Sequence, residues 1–597
     1  MLQTNLLYNK IQLSKKRGVE FRNITPFTYF DKDLQNRPDI QTYFKNPDAV
    51  YIIKYNSFLQ KDLTSNINLY IPFSTNDGLH LELEEEIIDY VIKTSDGQKI
   101  SSNNNIKHYR GIVKDNPNSL VSLTFGEDET LGLIITDEGN FNLSLTEQLN
   151  EYILYDDNNL KRKLDFTCGT DDDSSIQYDA VVLRQKLKTS INSNNLTSKT
   201  VRLYLETEFD IFQTRGSISS VETFIAGMYN QVALLYQNEN IITALTELFI
   251  WNTQDPYTST STNGLLNQFQ TQRTFFNGDL GQLLTFRNIG GGQAAGFSGL
   301  CNINTSQKLA VSMLYNTFLN APIYSWSVYV ITHEFGHLFG SRHTHACAWN
   351  GNNTAIDGCA GVTEGGCPTP SIPSNGGTIM SYCHLLSVGI NFNIGFGLQP
   401  GNIIRNSVNN ANCLLSINGP NLICDQATYT LGGFHNLPEE ATVEWSVNRN
   451  LRIVSGQGTS SVVVSKWMLG YSQNNRVTAE IILPLNRLII TKKNIESGSA
   501  NPAILLSPLT GPTPGPHVEY GVIGRRYWLH AYGINLSNND ADYNWKFYSS
   551  DPFELPVHGV GRQIEYSKNI PGDYKVSLKY NGECGWTDEV FRIIRFE

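Results

Sequence analysis

The sequence predicts a multidomain α+β chain: a mostly-β N-terminal domain, an α/β domain in the middle and two β-sandwich modules at the C-terminal end. Three observations carry this reading. The 597 residues exceed what one hydrophobic core organises, so three or four domains are expected. Apolar and polar residues alternate over residues 1 to about 165 and again after Cys413, the period of half-buried strands. Between these stretches, helical spacing interleaves with strand-like runs, the pattern of an α/β layer.

The N-terminal runs include "SLVSLTF" and "TLGLIITDEGNFNLSL", separated by the turn signals "SDGQ", "DNPNS" and "DEGN". A polar stretch, "CGTDDDSS", follows, and "KTSINSNNLTSK" at 188 to 199 reads as an exposed linker, so the first domain is placed at 1–198. Residues 199–415 form the second. There "VRLYLETEF", "ITALTELFIWN" and "KLAVSML" read as strands. "SSVETFIAGMYNQVALLYQ" behind a serine N-cap reads as a long helix, and "SWSVYVITHEFGHLFG" as another. After Cys413, "VEWSV" centres on Trp445 and, one hundred residues later, "YNWKF" centres on Trp545. A tryptophan on a central strand with a later Asp-x-Tyr-like corner, here the Asp-Tyr of "PGDYKVSLKYNGECG", is the immunoglobulin-like pattern. Two such modules are expected at 416–495 and 515–597, with "SGSANPAILLSPLTGPTPGP" between them.

Composition narrows the function classes. A formal charge of −11 argues against a nucleic-acid surface. No run of eighteen apolar residues occurs, so no membrane span is expected, and the opening "MLQTNLLYNKIQLSKKRGVEF" lacks the apolar centre of a secretory signal. The nine cysteines speak for export all the same. Six fall between 301 and 413 without a C-x-x-C pair, which favours disulfides and an oxidising, extracellular compartment. Spacing leaves the pairing open. The expectation is Cys301 with Cys413, with Cys347, Cys359, Cys367 and Cys383 pairing locally; an odd thiol remains.

The densest chemistry lies in "HEFGHLFGSRH", residues 333–343, which holds three of the eleven histidines. Residues four apart on a helix lie about 40° apart around its axis, so His333 and His337 share one face and can grip one ion. Glu334 is displaced enough to miss the ion but can reach a water beside it. His343 would point away on a straight helix. Gly340 resolves this, because glycine adopts the left-handed conformation that ends a helix and turns the chain back. Three neutral nitrogen ligands leave one coordination position open, the catalytic rather than the structural arrangement, and favour zinc over calcium or magnesium. Core histidines or a solvated helix face are the plainer readings. A bare H-E-x-x-H is cheap by chance, whereas the extended motif with its glycine and third histidine is far rarer. A structural zinc would leave Glu334 without a task.

This motif, followed by "TIMSY" at 378–382, resembles the metzincin clan of zinc endopeptidases. "VRLYLETEFDIF", "GFSGLCN", "HTHACAWNGNNTAIDGCAG" and "SNGGTIMSYCH" resemble its reprolysin-like (adamalysin-type) bacterial secreted group, strongly over 200–415 and more loosely in the flanks. The resemblance implies zinc on His333, His337 and His343, Glu334 as general base, and Met380 packed beneath the metal. It gives Tyr382 a catalytic role as a donor to the transition state or an extra ligand. It also implies an edge strand near "AGFSGLCNINTSQKLAVSML" that pairs with substrate, and a side-chain pocket shaped by "HLLSVGINF". His345 and His384 match no family ligand.

The N-terminal domain then resembles a propeptide, with "KHYRGIVKDNPNSLVSLTF" among its matching stretches, and Cys168 is expected to fill the open zinc position until a cut between 169 and 199. A disulfide from Cys168 to Cys424 or Cys584, or an inert thiol, are the competing readings. The oxygen-rich segments at 350–357 offer ligands for a structural calcium, although a surface turn suits their spacing better. The expected function is a secreted zinc endopeptidase made as a latent zymogen. Its partners are a protein or peptide substrate and, for the C-terminal modules, a surface or matrix target. Alternatives are an adhesin with a vestigial peptidase domain and a zinc aminopeptidase.

Overall fold

The computed structural model describes residues 5–16, 19–30, 37–74, 77–146, 148, 150–161, 168–170, 199–315, 324–433, 440–448, 450–467, 472–483, 487–498, 503–508, 520–532, 540–548, 557–582, 584–587 and 589–597. It is β-rich and multidomain, with two compact units built on residues 20–415 and 416–597. The linker at 188–199 and the expected cut region lie, apart from 169, 170 and 199, outside the described residues.

In the first unit a ten-stranded sheet runs from Arg22–Ile24 at one edge to Phe27–Tyr29 at the other, antiparallel but for the pair Arg22–Ile24 and Asn66–Pro72. Alternation works as read: Leu81, Leu83, Tyr109, Val121 and Leu123 cluster on one face. A second, central sheet has the order Gly292–Ala294, Leu309–Met313, Leu280–Thr285, Thr200–Thr207, Ile242–Ile250. Its inner pairs are parallel and its Gly292–Ala294 edge is antiparallel. The expected edge at 295–314 is therefore displaced. Leu309–Met313 is the second strand, and the outermost is the short run beginning at Gly292.

Two further strands complete the central sheet, Val91–Thr94 and Lys99–Ser101, and they come from the N-terminal β region. Val91–Thr94 lies parallel to Glu247–Ile250 with Ile92 fully buried. Without this hairpin the nine-residue strand Ile242–Ile250 would present an open row of peptide groups.

The long helix Ile218–Asn238 is capped by the Ser217 hydroxyl, which accepts from Ser220 N at 3.1 Å. Its apolar residues recur at helical spacing, yet it is buried on nearly all sides, Glu222 and Asn230 included, because it packs between the two sheets. Phe224, Ile225 and Met228 share one core with Leu131, Leu133 and Ile135 of the ten-stranded sheet and with Leu203, Leu205 and Leu248 of the central one. Polar groups cross the same junction. Arg110 Nε donates to Asn230 Oδ1 at 2.9 Å, Tyr90 donates to Glu222 at 2.9 Å, and Arg215 pairs with the buried Glu129. The N-terminal and central regions are one packed body. Helices Phe209–Arg215, Thr262–Gln272 and Leu398–Asn410 complete it.

The second unit holds four further sheets. Trp445 Nε1 donates to Thr459 O at 2.7 Å, and Trp545 repeats the contact with Gly561 O at 2.7 Å. Tyr574 Oη donates back to Ile570 O at 2.9 Å. Part of the segment expected to lie between modules is itself structure. Ala503–Pro508 pairs with Tyr527–Tyr532, and Ile504 and Leu506 enter the same core as Trp545. Four cysteine pairs are within bonding distance: Cys301–Cys413, Cys347–Cys367, Cys359–Cys383 and Cys424–Cys584. With Cys424 and Cys584 joined to each other, a disulfide from Cys168 to either is ruled out, and Cys168 keeps a free thiol.

Candidate active site

The helix Tyr324–Leu338 ends as a glycine stop dictates. Ser341 N donates to Gly336 O at 3.0 Å and Gly340 N to His337 O at 2.7 Å, with Gly340 at φ 109°. That pair of bonds is the Schellman closure, and a glycine removes its conformational penalty. The turned-back chain carries His343 to the face already holding His333 and His337. Gly336 serves packing: a Cβ there would lie 2.7 Å from Met380 Sδ, so the methionine turn sits directly under the helix.

The three imidazoles converge. His337 Nε2 lies 3.1 Å from both His333 Nε2 and His343 Nε2. Each outer nitrogen is committed elsewhere: His333 Nδ1 to Ile379 O at 2.7 Å, His337 Nδ1 to Ser341 O at 2.8 Å, His343 Nδ1 to Glu364 Oε1 at 2.8 Å. Those acceptors place the ring protons on Nδ1, so three Nε2 lone pairs face one another. Such an arrangement is repulsive unless a cation lies between them. Tetrahedral zinc with nitrogens at about 2.0–2.1 Å sets its ligands about 3.3 Å apart, which these residues fit. Burial, then the neighbouring imidazoles, holds His333 and His337 well below the ordinary histidine pKa; burial lowers that of His343 as well, against the Glu364 carboxylate. Each shift favours the neutral ring, the form that ligates a metal.

Glu334 is fully buried, and burial pushes its carboxyl up to about 8 against hydrogen bonds from Cys168, Thr170 and Ala294. It lies against the edge strand. A Cβ on Gly292 would come within 2.5 Å of Glu334 Oε1, so only glycine leaves room for that carboxyl.

Cys168 enters this site from the N-terminal region. Its Sγ is 3.4 Å from His337 Nε2 and 3.6 Å from Glu334 Oε2, and it forms one ligand group with the three histidines. Burial, then the Glu334 charge, raises its thiol well above the usual range in the absence of a cation. Gly169 N donates to Gly292 O at 2.9 Å, and Thr170 Oγ1 accepts from Ala294 N at 2.9 Å. Residues 168–170 thus lie along the edge strand as an added peptide. Tyr382 Oη accepts from Cys168 N at 3.0 Å, and its ring packs on His343 and His345. His345 is buried with Nε2 3.2 Å from Glu364 Oε1; His384 Nδ1 lies 3.2 Å from Tyr329 Oη. Leu386, Ser387 and Ile390 of "HLLSVGINF" line a cavity with Trp326, Tyr329 and Lys45.

Three contributors were not found from sequence: Glu364, Thr170 and Gly292. A lone glutamate twenty-one residues past His343 has no spacing signal, and Thr170 precedes an acidic run that reads as linker. The triple glycine 290–292 was the one available clue. The oxygen-rich segment at 350–357 folds as a turn. Asn350 Nδ2 donates to Thr354 Oγ1 and Ala355 O, both at 3.0 Å, and Thr354 donates to Asn352 Oδ1 at 2.8 Å. These internal bonds give the calcium expectation no support.

Residues 197–388 match the family model Reprolysin_5, described as metallo-peptidase family M12. Karilysin of Tannerella forsythia is 28% identical over 207 residues, which are 31% of this chain and 40% of the relative. The match thus spans about 40% of that relative's length. Among solved structures, three N-terminal domains of the bacteriophage RB49 outer capsid protein Hoc match at 14% identity, covering 30% of this chain and 58% of that one, with a TM-score of 0.19. Fibronectin(III)-like modules of Clostridium thermocellum CbhA match at 11% identity, covering 31% and 94%, with a TM-score of 0.13. Superpositions that loose carry no argument.

Proposed function

Because residues 197–388 are a reprolysin-like metallopeptidase domain of the metzincin type, we propose that the chain is a zinc-dependent endopeptidase held latent by its own N-terminal region. The single observation that carries this is the convergence of three Nε2 atoms, with the Cys168 thiol 3.4 Å from His337 Nε2 and 3.6 Å from Glu334 Oε2. His333, His337 and His343 would hold the zinc. Once bound, the ion lowers the pKa of water and polarises a carbonyl oxygen.

The chain's residues do the rest. An extended substrate adds to the edge strand Gly292–Ala294, where residues 168–170 now lie, by main-chain hydrogen bonds. Glu334 takes the proton of the attacking water and passes it to the leaving amine. As a carboxylate it accepts that proton, and as the resulting carboxylic acid it gives it up to the amine. The Tyr382 phenol, now spent on the Cys168 main chain, donates to the substrate carbonyl oxygen when that peptide leaves. The segment around Leu386 shapes the pocket for the side chain after the cut bond.

Latency rests on Cys168. Its thiol stands where the fourth ligand would be, and a thiolate at zinc excludes water. Four cysteine pairs within bonding distance support an extracellular setting, and no described helix is long and apolar enough to cross a membrane. The paired tryptophan contacts and the Tyr574 corner support reading two immunoglobulin-like modules; a surface or matrix target for them is part of the proposal. A vestigial peptidase fold is disfavoured, since it would have no reason to keep Glu334 and all three histidines.

The test is digestion of casein by the activated protein. Glu334→Ala is expected to lower the rate by at least about 100-fold while still carrying about one zinc, and a chelator to abolish activity. Undiminished digestion by the Glu334→Ala protein would refute the assignment.

A further inference from the structure

His333 and His337 are aimed by the helix they stand on, and their outer nitrogens rest on main-chain carbonyls. His343 has no such support. It lies beyond the helix stop, and its outer nitrogen meets an ionisable side chain from a distant loop, Glu364. We infer that Glu364, braced by His345, is the positioning residue for the third ligand and tunes how tightly the site holds its metal. The inference rests on the zinc reading above.

The loop is built to deliver that carboxyl. Glu364 N donates to His345 O at 3.1 Å and Cys347 N donates to Glu364 O at 2.7 Å, a short ladder tying residue 364 to the chain just past His343. The Cys347–Cys367 bridge closes the same loop, and Thr363 Oγ1 donates to Cys367 O at 2.6 Å. On the side-chain level a single oxygen, Glu364 Oε1, receives both His343 Nδ1 at 2.8 Å and His345 Nε2 at 3.2 Å. The two imidazoles stack, with ring centres 4.9 Å apart and planes 13° apart, and Tyr382 packs against both. Both stacked rings therefore point a nitrogen at the one carboxylate oxygen, and His345 helps to hold it where His343 Nδ1 meets it. Glu364 Oε2 is buried with no hydrogen-bond partner among the described residues, so the carboxylate's hydrogen bonding is directed at the histidine pair.

The consequence is electrostatic as well as steric. A carboxylate behind an imidazole fixes its tautomer, makes Nε2 a stronger donor and offsets part of a dication's charge; partners of this kind are worth about 10- to 100-fold in metal affinity. A glutamine at 364 would keep an acceptor for His343 but lose the charge. Alanine would lose both.

The experiment measures zinc affinity by chelator competition on the full chain, in a Cys168→Ala background so that the thiol contributes nothing. The thermal midpoint of the metal-free protein is recorded beside it. Glu364→Gln is expected to weaken zinc binding about 10-fold and Glu364→Ala more, toward 100-fold, with His345→Ala between the parent and Glu364→Gln. A purely structural role would lower the metal-free midpoint of Glu364→Gln and leave its zinc affinity alone. The inference holds if affinity falls and that midpoint does not. Unchanged affinity in Glu364→Gln and Glu364→Ala overturns it while the zinc site stands. A parent protein that takes up no zinc overturns the underlying reading as well.

Discussion

At Gly292 a hydrogen atom in place of a methyl group decides where the Glu334 carboxyl can lie. The added Cβ would stand 2.5 Å from Glu334 Oε1 and 2.8 Å from its Cγ, and a buried side chain on a helix has little room to retreat. Gly292→Ala is therefore expected to displace Glu334 without touching the histidines. Zinc content should stay near one per chain while the activated protein loses about ten-fold or more in kcat/KM, with KM less affected. A variant that digests casein at the parent rate would show that the carboxyl is not held where the edge strand puts it. Gly340 works differently, through φ of 109°, a backbone that costs other residues about 1–2 kcal/mol.

The strand Lys107–Val113 carries a pH liability. His108 is buried, its Nδ1 3.0 Å from Thr124 Oγ1, and burial, then the charges of Arg110 and Lys107, lowers its pKa to about 3. The unfolded chain binds that proton near pH 6.5 and the folded strand does not. Stability from this group is therefore present above about 6.5 and is lost as pH falls toward 3. Thermal midpoints taken across that window should fall less steeply for His108→Gln than for the parent; parallel curves would show that the strand's histidine takes no part. Elements like this strand were legible because alternation is a local signal, as were the long helix behind Ser217 and the helix ending at Gly340. The hairpin 91–101 was not. "YVIKTSDGQKI" alternates as well as its neighbours do, and nothing in it says which sheet it joins. That choice belongs to the otherwise open edge of Ile242–Ile250. The helix Leu398–Asn410 begins without a capping side chain and contains Pro400 and Gly401, so its pattern was broken at the start. The histidine cluster was readable because helix periodicity aligns His333 with His337 and a glycine stop brings His343 back to them. Glu364 was not, because a disulfide-closed loop brings it in from outside any period.

On the scale of the molecule, the N-terminal and metallopeptidase regions share a sheet and a core. Val91–Thr94 extends the central sheet, Lys93 pairs with Glu247 at 2.6 Å, and Leu131 packs against the helix at Gly227. Buried apolar surface of this extent stabilises association whether or not the chain is continuous. A cut made anywhere between 171 and 198 should leave the two fragments co-eluting on gel filtration under native conditions. Free fragments would mean that the shared sheet does not hold them. Latency would then end only when the N-terminal fragment is itself degraded or displaced, since Cys168 stays with it. One shell of atoms around the three histidines is decisive. Zinc-edge X-ray absorption on the full chain is predicted to give about one zinc with three nitrogens near 2.0–2.1 Å and one sulfur near 2.3 Å, and Cys168→Ala is predicted to replace the sulfur with a light atom. A chain with no stoichiometric zinc, or a shell lacking the three nitrogens, would contradict it.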